Sequence, residues 1–296
     1  MIYVLGSINA DLVVYSDRFP ESGETLVGND FLLNQGGKGA NQAIAAKKAG
    51  GETVFIGRTG DDYFGEFVLR NLTENGVKLH IKKEKGTFTG IAMINVNSKG
   101  ENKIVIIHGA NGFVNGEELS FLKERLTEKD ILMLQGEIDA KILKSAAKTA
   151  REKNAVVIFD PAPVNGALKG VIPYANFITP NEVEIMSLTD GAGTEKLLEM
   201  GAENIIEKRG SKGVNYIGKD ECFEMPAFEV NAIDTTGAGD TFNGAFAAAL
   251  SEGKTIKESV LFASAAAAIS VTRKGAAASF PKREEIDEFL RKVTVK

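Results

Sequence analysis

Apolar residues along this chain fall into short unbroken runs separated by longer stretches of helical period. Ile2–Leu5, Thr53–Gly57, Ile131–Leu134 and Val156–Phe159 are continuous or nearly continuous apolar runs, the pattern of strands covered on both faces. Phe177–Thr179, Asn204–Glu207 and Gly213–Ile217 read as further short strands. Lys38–Ala49, Phe64–Glu74, Glu117–Leu126 and Ala140–Lys153 read as helices, with more expected near residues 238–251, 256–272 and 283–292. Strands alternating with helices predict an α/β fold of three layers, a mostly parallel central sheet with helices on both faces. Leu12–Tyr15, Thr25–Leu33, Thr89–Asn95 and Lys103–His108 do not fit that alternation, because no helices separate them in pairs. Pro20 and Gly23 interrupt the first pair, and Asn97-Ser-Lys-Gly100 reads as a hairpin turn in the second. They predict a small β-sheet lid, inserted at about residues 12–34 and 88–109 into one domain spanning 1–296.

Composition narrows the function. The net charge of −5, without a Lys/Arg block, argues against a nucleic-acid partner. Cys222 is the one cysteine, and with two histidines it leaves neither a disulfide nor a Cys/His metal cluster. No apolar run reaches membrane-spanning length, and the chain opens into Ile2–Leu5 without a basic leader. The expectation is a cytoplasmic protein with no membrane partner.

Candidate chemistry concentrates in two glycine-rich stretches. Val230–Phe246 reads VNAIDTTGAGDTFNGAF, and its Gly237-Ala238-Gly239-Asp240 turn opens a helix of small residues. Glycines allow close backbone approach, and free N–H groups at a helix start form an anion site. A carboxylate beside such a site fits a general base acting on a second reactant, though Asp240 also fits an ordinary first-turn Asp. The other stretch is Gly36-Gly37-Lys38-Gly39-Ala40-Asn41-Gln42-Ala43. Its backbone amides, Lys38 and Asn41 suit a hydroxyl-rich ligand; close helix–sheet packing is the plainer alternative. Asn9, Ala10 and Asp11 follow a buried strand, and Glu137 follows another, at sheet edges where ligands bind in α/β folds. An Asx turn and a solvated loop Glu remain open for these.

The common nucleotide fingerprints are missing. No G-x-x-x-x-G-K-[ST] loop occurs, no G-x-G-x-x-G opens the first helix, and no G-x-S-x-G elbow is present. Phosphoryl transfer needs a base, positive charge and a divalent metal around the migrating group. Asp240 is the candidate base, weak if its pKa stays near 4, and the N–H groups of Gly237–Asp240 form the candidate anion hole. Glu184, one turn after Asn181, could hold Mg²⁺ through water, or could simply belong to a helix cap.

Taken together, the two signatures, Asn9-Ala-Asp11 and Asn181-Glu-Val-Glu184 resemble the ribokinase branch of the PfkB sugar-kinase family, from Ile2 to about Phe289. The resemblance implies phosphorylation of D-ribose at O5 by ATP, with deoxyribose, fructose or a nucleoside such as adenosine as close alternative acceptors and a non-catalytic sensor on the same fold as a distant one. It implies sugar contacts at Asn9, Asp11, Gly37, Lys38, Gly39, Asn41 and Glu137. It places nucleotide contacts at Asn181, at Lys208-Arg209-Gly210-Ser211-Lys212-Gly213 and at Ser264, with Glu184 near Mg²⁺. Lys208 and Arg209 stand where the family more usually has small, hydroxyl or apolar residues; Ser264 stands where a larger polar residue is frequent; Ser187–Gly201 is shorter than usual. An activating K⁺ is implied at Asp234, Thr236, Ser270, Arg273, Gly275 and Ser279, Arg273 through its carbonyl because a guanidinium only donates. Pairing of lid strands across a two-fold axis implies a homodimer.

Overall fold

The computed structural model describes residues 1–294; residues 295 and 296 of the expected domain lie outside the described residues. In chain order the first elements are β1 (Ile2–Leu5), β2 (Asn9–Tyr15), β3 (Asp30–Gly36), α1 (Lys38–Lys48), β4 (Thr53–Gly60), α2 (Tyr63–Glu74) and β5 (Lys78–Glu84). Next come β6 (Gly90–Val96), β7 (Asn102–Ile107), α3 (Gly116–Arg125), β8 (Ile131–Gln135), α4 (Ala140–Glu152), β9 (Val156–Asp160) and β10 (Phe177–Ile178). The chain continues through α5 (Glu182–Leu188), α6 (Glu195–Glu199), β11 (Asn204–Lys208), β12 (Val214–Gly218) and β13 (Cys222–Met225). It closes with α7 (Ala238–Ser251), α8 (Ile256–Ser270) and α9 (Arg283–Thr294).

The central sheet is nine-stranded, in the order β13-β12-β11-β10-β9-β8-β1-β4-β5. It is parallel from β5 to β11 and antiparallel only at β12 and β13. Alternate side chains of the buried runs feed two different cores. Ile2, Val4, Ile131, Met133 and Ile158 join the core containing α1, α7 and α8 residues; Tyr3, Leu5, Leu132, Leu134, Val157 and Phe159 join the one containing α4 residues. Both faces are therefore covered, which is why these strands show no polar alternation.

Four strands form a separate sheet, β3-β2-β6-β7, in which β2 and β6 run parallel and the outer pairs antiparallel. The expected strand Thr25–Leu33 is shifted: residues 25–29 are irregular, and β3 runs to Gly36, delivering the chain directly to α1. Asn9 and Asp11 are not in a loop but in β2 itself, which begins where β1 has just ended. The edge strands β5 and β13 were not expected from the sequence. Among the described residues, no helix is long and apolar enough to cross a membrane.

Candidate active site

The two glycine-rich stretches meet because the helices they open pack backbone to backbone. Gly244, in α7, lies so close to α1 that a Cβ there would be 2.5 Å from the Ala46 nitrogen. Gly37 caps α1 with φ 85° and Gly237 caps α7 with φ 75°, so the chain enters both helices through a residue of positive φ, which favours glycine. A side chain at Gly37 would also strike the Ile8 backbone, its Cβ falling 2.8 Å from Cα.

This packing sets Asp240 in a buried polar network. Asn41 donates through Nδ2 to Asp240 Oδ2 at 3.1 Å, and Gln42 donates through Nε2 to Asp240 Oδ1 at 3.1 Å. The same Gln42 nitrogen reaches Asp160 Oδ2 at 2.8 Å, while its own oxygen accepts from Gln135 Nε2 at 2.8 Å. Burial raises the Asp240 pKa above the ordinary carboxylate value, with Asp160 pushing the same way and Lys38 pulling against both. The sequence-based assumption of an ordinary pKa near 4 is corrected: the desolvated carboxylate is a stronger base than one in water.

Around the start of α1, Glu137 Oε2 accepts from the Ser7 hydroxyl and from the Lys38 backbone N–H, the latter at 2.9 Å. The Asp11 carboxylate lies over Gly36, where a Cβ would fall 1.9 Å from Oδ1. Burial, helped by Glu137 and Asp240, raises its pKa to about 7. Asn9 Oδ1 accepts from Asn111 Nδ2 at 2.8 Å, and Ala10 is fully buried beside it in β2. Ala40 and Gly39 are buried in the first turn of α1, and the Lys38 ammonium is held above its ordinary pKa chiefly by Asp240. The buried Asn41 Oδ1 and Gln35 Oε1 carry no hydrogen bond, which leaves acceptors for a hydroxylic ligand.

On the other side of Asp240, a groove of about 510 Å³ is lined by Lys208, Gly210, Ser211, Gly213, Ala238, Gly239 and Ser264, among others. Ser264 Oγ is buried there without a partner, a hydroxyl that an adenine nucleotide could satisfy. The Ala238 N–H turns back onto Thr235 O at 3.2 Å, so the donors left at this helix start are those of Gly237, Gly239 and Asp240. Of the three cations in the 208–213 loop, only Lys208 faces the site, its Nζ 3.2 Å from Asp160 Oδ1. The other two side chains point elsewhere: Arg209 pairs with Glu207 and Glu224, and Lys212 with Glu182.

Asn181 and Glu184 form a reciprocal capping box on α5, each side chain taking the other's backbone N–H at 2.8 Å. The cap reading is therefore realised, through Oε2 of Glu184 only. Burial raises the Glu184 pKa, against the pull of Lys208.

Asp234 ties two loops together, Oδ1 accepting from Thr236 N at 2.9 Å and Oδ2 from Gly275 N at 2.8 Å. Burial opposes its ionisation, but these donors outweigh it and hold the pKa below the ordinary value. Ser279 and Ser270 donate their hydroxyls to Ala276 O and Ala267 O, each at 2.8 Å, and the Arg273 guanidinium pairs with Glu285. The groups at this turn are oxygens, carboxylate, carbonyl and hydroxyl, the type that hard cations take.

Sequence reasoning missed Asp160, Gln42, Gln135 and Ser7. Asp160 ends a buried parallel strand, the same signal that drew attention to Glu137.

The model of the pfkB family of carbohydrate kinases matches residues 1–283. A ribokinase of Bacillus subtilis is 37% identical over 290 residues, covering 98% of this chain and 99% of that protein. A deoxyribokinase of Salmonella typhi is 35% identical over 302 residues, with 98% of each chain covered. The structure of Arabidopsis thaliana ribokinase complexed with ribose and ATP superposes with a TM-score of 0.90 at 32% identity, covering 98% of both chains.

Proposed function

The chain belongs to the pfkB family of carbohydrate kinases, and from the way its site is built we propose that it phosphorylates D-ribose at O5 with ATP, giving D-ribose 5-phosphate and ADP. One observation carries this reading: the buried carboxylate of Asp240 stands between Asn41, on the acceptor side, and the helix start that opens on the groove. Asn9, Asp11, Gly37–Asn41 and Glu137 would hold the sugar hydroxyls, with Gln35 alongside. The 208–213 backbone, Lys208, Asn181 and Ser264 would hold the nucleotide.

In the reaction, Asp240 takes the proton of the O5 hydroxyl. The O5–P bond forms as the bond from γ-phosphorus to the bridging oxygen breaks, leaving that electron pair on ADP. Charge developing on the transferred group meets the N–H groups of Gly239 and Asp240. Mg²⁺, when bound, would neutralise and align the phosphate chain; Glu184 would hold it through water with the oxygen that the capping box does not use. K⁺ at the Asp234 turn would order the loop that carries those amides, with carbonyls of Thr236, Ser270, Arg273 and Gly275 and the Ser279 hydroxyl as further ligands.

The small sheet would serve as a lid on one domain, and Phe31, Met93, Val105 and Ile107, which share one of its faces, are exposed. A second copy covering this face would make a homodimer. An enzyme that consumes ATP and free pentose is expected to work in the cytoplasm.

2-Deoxyribose is the second reading, favoured by the similarity to a deoxyribokinase over the full length. The test is ADP release with Mg-ATP and K⁺ across D-ribose, 2-deoxyribose, fructose, adenosine and no sugar. A dominant ribose rate supports the proposal, and a dominant rate with another acceptor reassigns the sugar pocket. Binding of ribose and ATP without turnover would indicate a sensor.

A further inference from the structure

Asp160 and Lys208 are the last residues of β9 and β11, the two strands that flank β10. At the carboxyl ends of parallel strands, their side chains converge across β10 and pair at 3.2 Å. Directly after β10, Thr179 is fully buried with a hydroxyl that has no partner. Asp160 is 2% exposed, so its charge requires a fixed counter-ion. The Lys208 side chain is more open, lines the groove, and comes close enough to α7 that a Cβ on Gly239 would lie 3.5 Å from Nζ. Its backbone is fixed too, the N–H donating to Pro180 O at 2.8 Å. An ammonium has three donors, and the ion pair with Asp160 uses one. The other Asp160 oxygen is bound to Gln42, whose nitrogen also holds Asp240. One buried carboxylate thus touches both the cation at the groove and the amide that orients the proposed base.

We propose that Lys208 is the cation that meets the terminal phosphates of the nucleotide, and that Asp160 is its positioning residue, holding the ammonium beside α7 and linking it through Gln42 to Asp240. This rests on the kinase reading above and adds to it a division of labour: the phosphate-side charge and the acceptor-side base share one buried anchor. Without Lys208, the Asp160 carboxylate would face the phosphate chain uncompensated, so nucleotide affinity should depend steeply on the number of phosphates present.

The experiment is calorimetric titration of ATP, ADP and AMP into the wild type, Lys208→Met, Lys208→Arg, Asp160→Asn and the Lys208→Met/Asp160→Asn double variant, with Tm measured for each. Lys208→Met is expected to weaken ATP and ADP at least tenfold and AMP less than threefold. Lys208→Arg should keep most of the preference for ATP over AMP. In the double variant, removal of the unpaired carboxylate should recover part of the lost ATP affinity. Equal losses for all three nucleotides, no loss, or strictly additive effects would overturn the inference. Should Lys208→Met fail to fold, the double variant decides: a wild-type ratio of ATP to AMP affinity would sink the phosphate role. A wild type that binds none of the nucleotides would instead refute the kinase reading itself.

Discussion

Asn41 and Asp240, 199 positions apart in sequence, are joined by a hydrogen bond of 3.1 Å in which the amide donates and the carboxylate accepts. That bond fixes one oxygen of Asp240, and Gln42 fixes the other, so the carboxylate has little freedom to rotate. An oriented, desolvated carboxylate is what general-base catalysis on a sugar hydroxyl requires. Asp240→Asn preserves size and one acceptor but removes the basic charge. It is expected to lower kcat at least about a hundredfold while leaving D-ribose affinity nearly intact. Steady-state rates beside calorimetric ribose binding check this; retained turnover would remove Asp240 from the role of base.

The Asp11 carboxylate carries a proton in the folded protein up to about pH 7, because burial and the charges of Glu137 and Asp240 disfavour its ionised form. In the unfolded chain it ionises near 3.8. Between those values the folded state binds more protons, so Asp11 makes stability fall as pH rises, levelling off above about 7. Asp11 should therefore pull the sugar-free Tm down as pH rises through this window, and Asp11→Asn should lessen that pull. It should not abolish the downward pull, because Asp240 and Glu184 are shifted in the same direction. An unchanged slope in Asp11→Asn would show that Asp11 is ionised in the folded protein.

Much of this was legible in the sequence, and the exceptions have physical causes. The buried strands announce themselves through unbroken apolar runs, and the two helix-opening stretches through glycines and small residues that let the helices approach closely. Edge strands β5 and β13 set exposed, charged residues such as Lys78, Lys82 and Glu224 between their apolar ones, and so lack the continuous apolar run of the interior strands. Gln42 looks like any helical glutamine until α7 is laid against α1. The pairing of Lys208 with Asp160 follows from the strand order across β9, β10 and β11, which no local pattern encodes. Arg209 and Lys212 looked equivalent to Lys208 in the loop; only the direction of each side chain separates them.

Gly244 tests how closely the site depends on helix contact. A methyl group there would meet the Ala46 nitrogen at 2.5 Å and the Ala45 side chain at 2.6 Å. Backbone cannot move aside as a flexible side chain can, so α7 must shift from α1. Gly244→Ala should destabilise by about 1–3 kcal/mol. It should also reduce kcat, because Asn41 and Gln42 ride on α1 and Asp240 on α7. Denaturant unfolding with parallel kinetics checks both, and a variant with wild-type stability and kcat would show that the two helices are not tightly coupled.

At the Asp234 turn, the carboxylate already holds two backbone donors, so a cation there would share oxygens that also order the loop. Replacing K⁺ by Na⁺ should lower activity, since a smaller ion fits a cluster of carbonyl and hydroxyl oxygens less well without moving the loop. Asp234→Ala should lose the response to K⁺ altogether. Equal rates in the two salts would undo the assignment of Asp234, Thr236, Ser270, Arg273, Gly275 and Ser279 to a cation site.

Every residue of β7 is exposed, and Ile104, Val105, Ile106 and Ile107 follow one another along it. A run of four exposed apolar residues on an edge strand is an aggregation hazard unless something covers it. Both β3 and β7 are edges of the four-stranded sheet, so a second copy could cover the apolar face. Ile104 and Ile106 share one face of β7, and Val105 and Ile107 the other, by the period of a strand. Charging one face should therefore matter more than charging the other. Sedimentation velocity should show a dimer for the wild type and a monomer for either Ile104→Glu/Ile106→Glu or Val105→Glu/Ile107→Glu, whichever face is covered. A monomeric wild type over the whole accessible concentration range would refute the dimer, and an unaltered dimer in both variants would place the interface away from the lid.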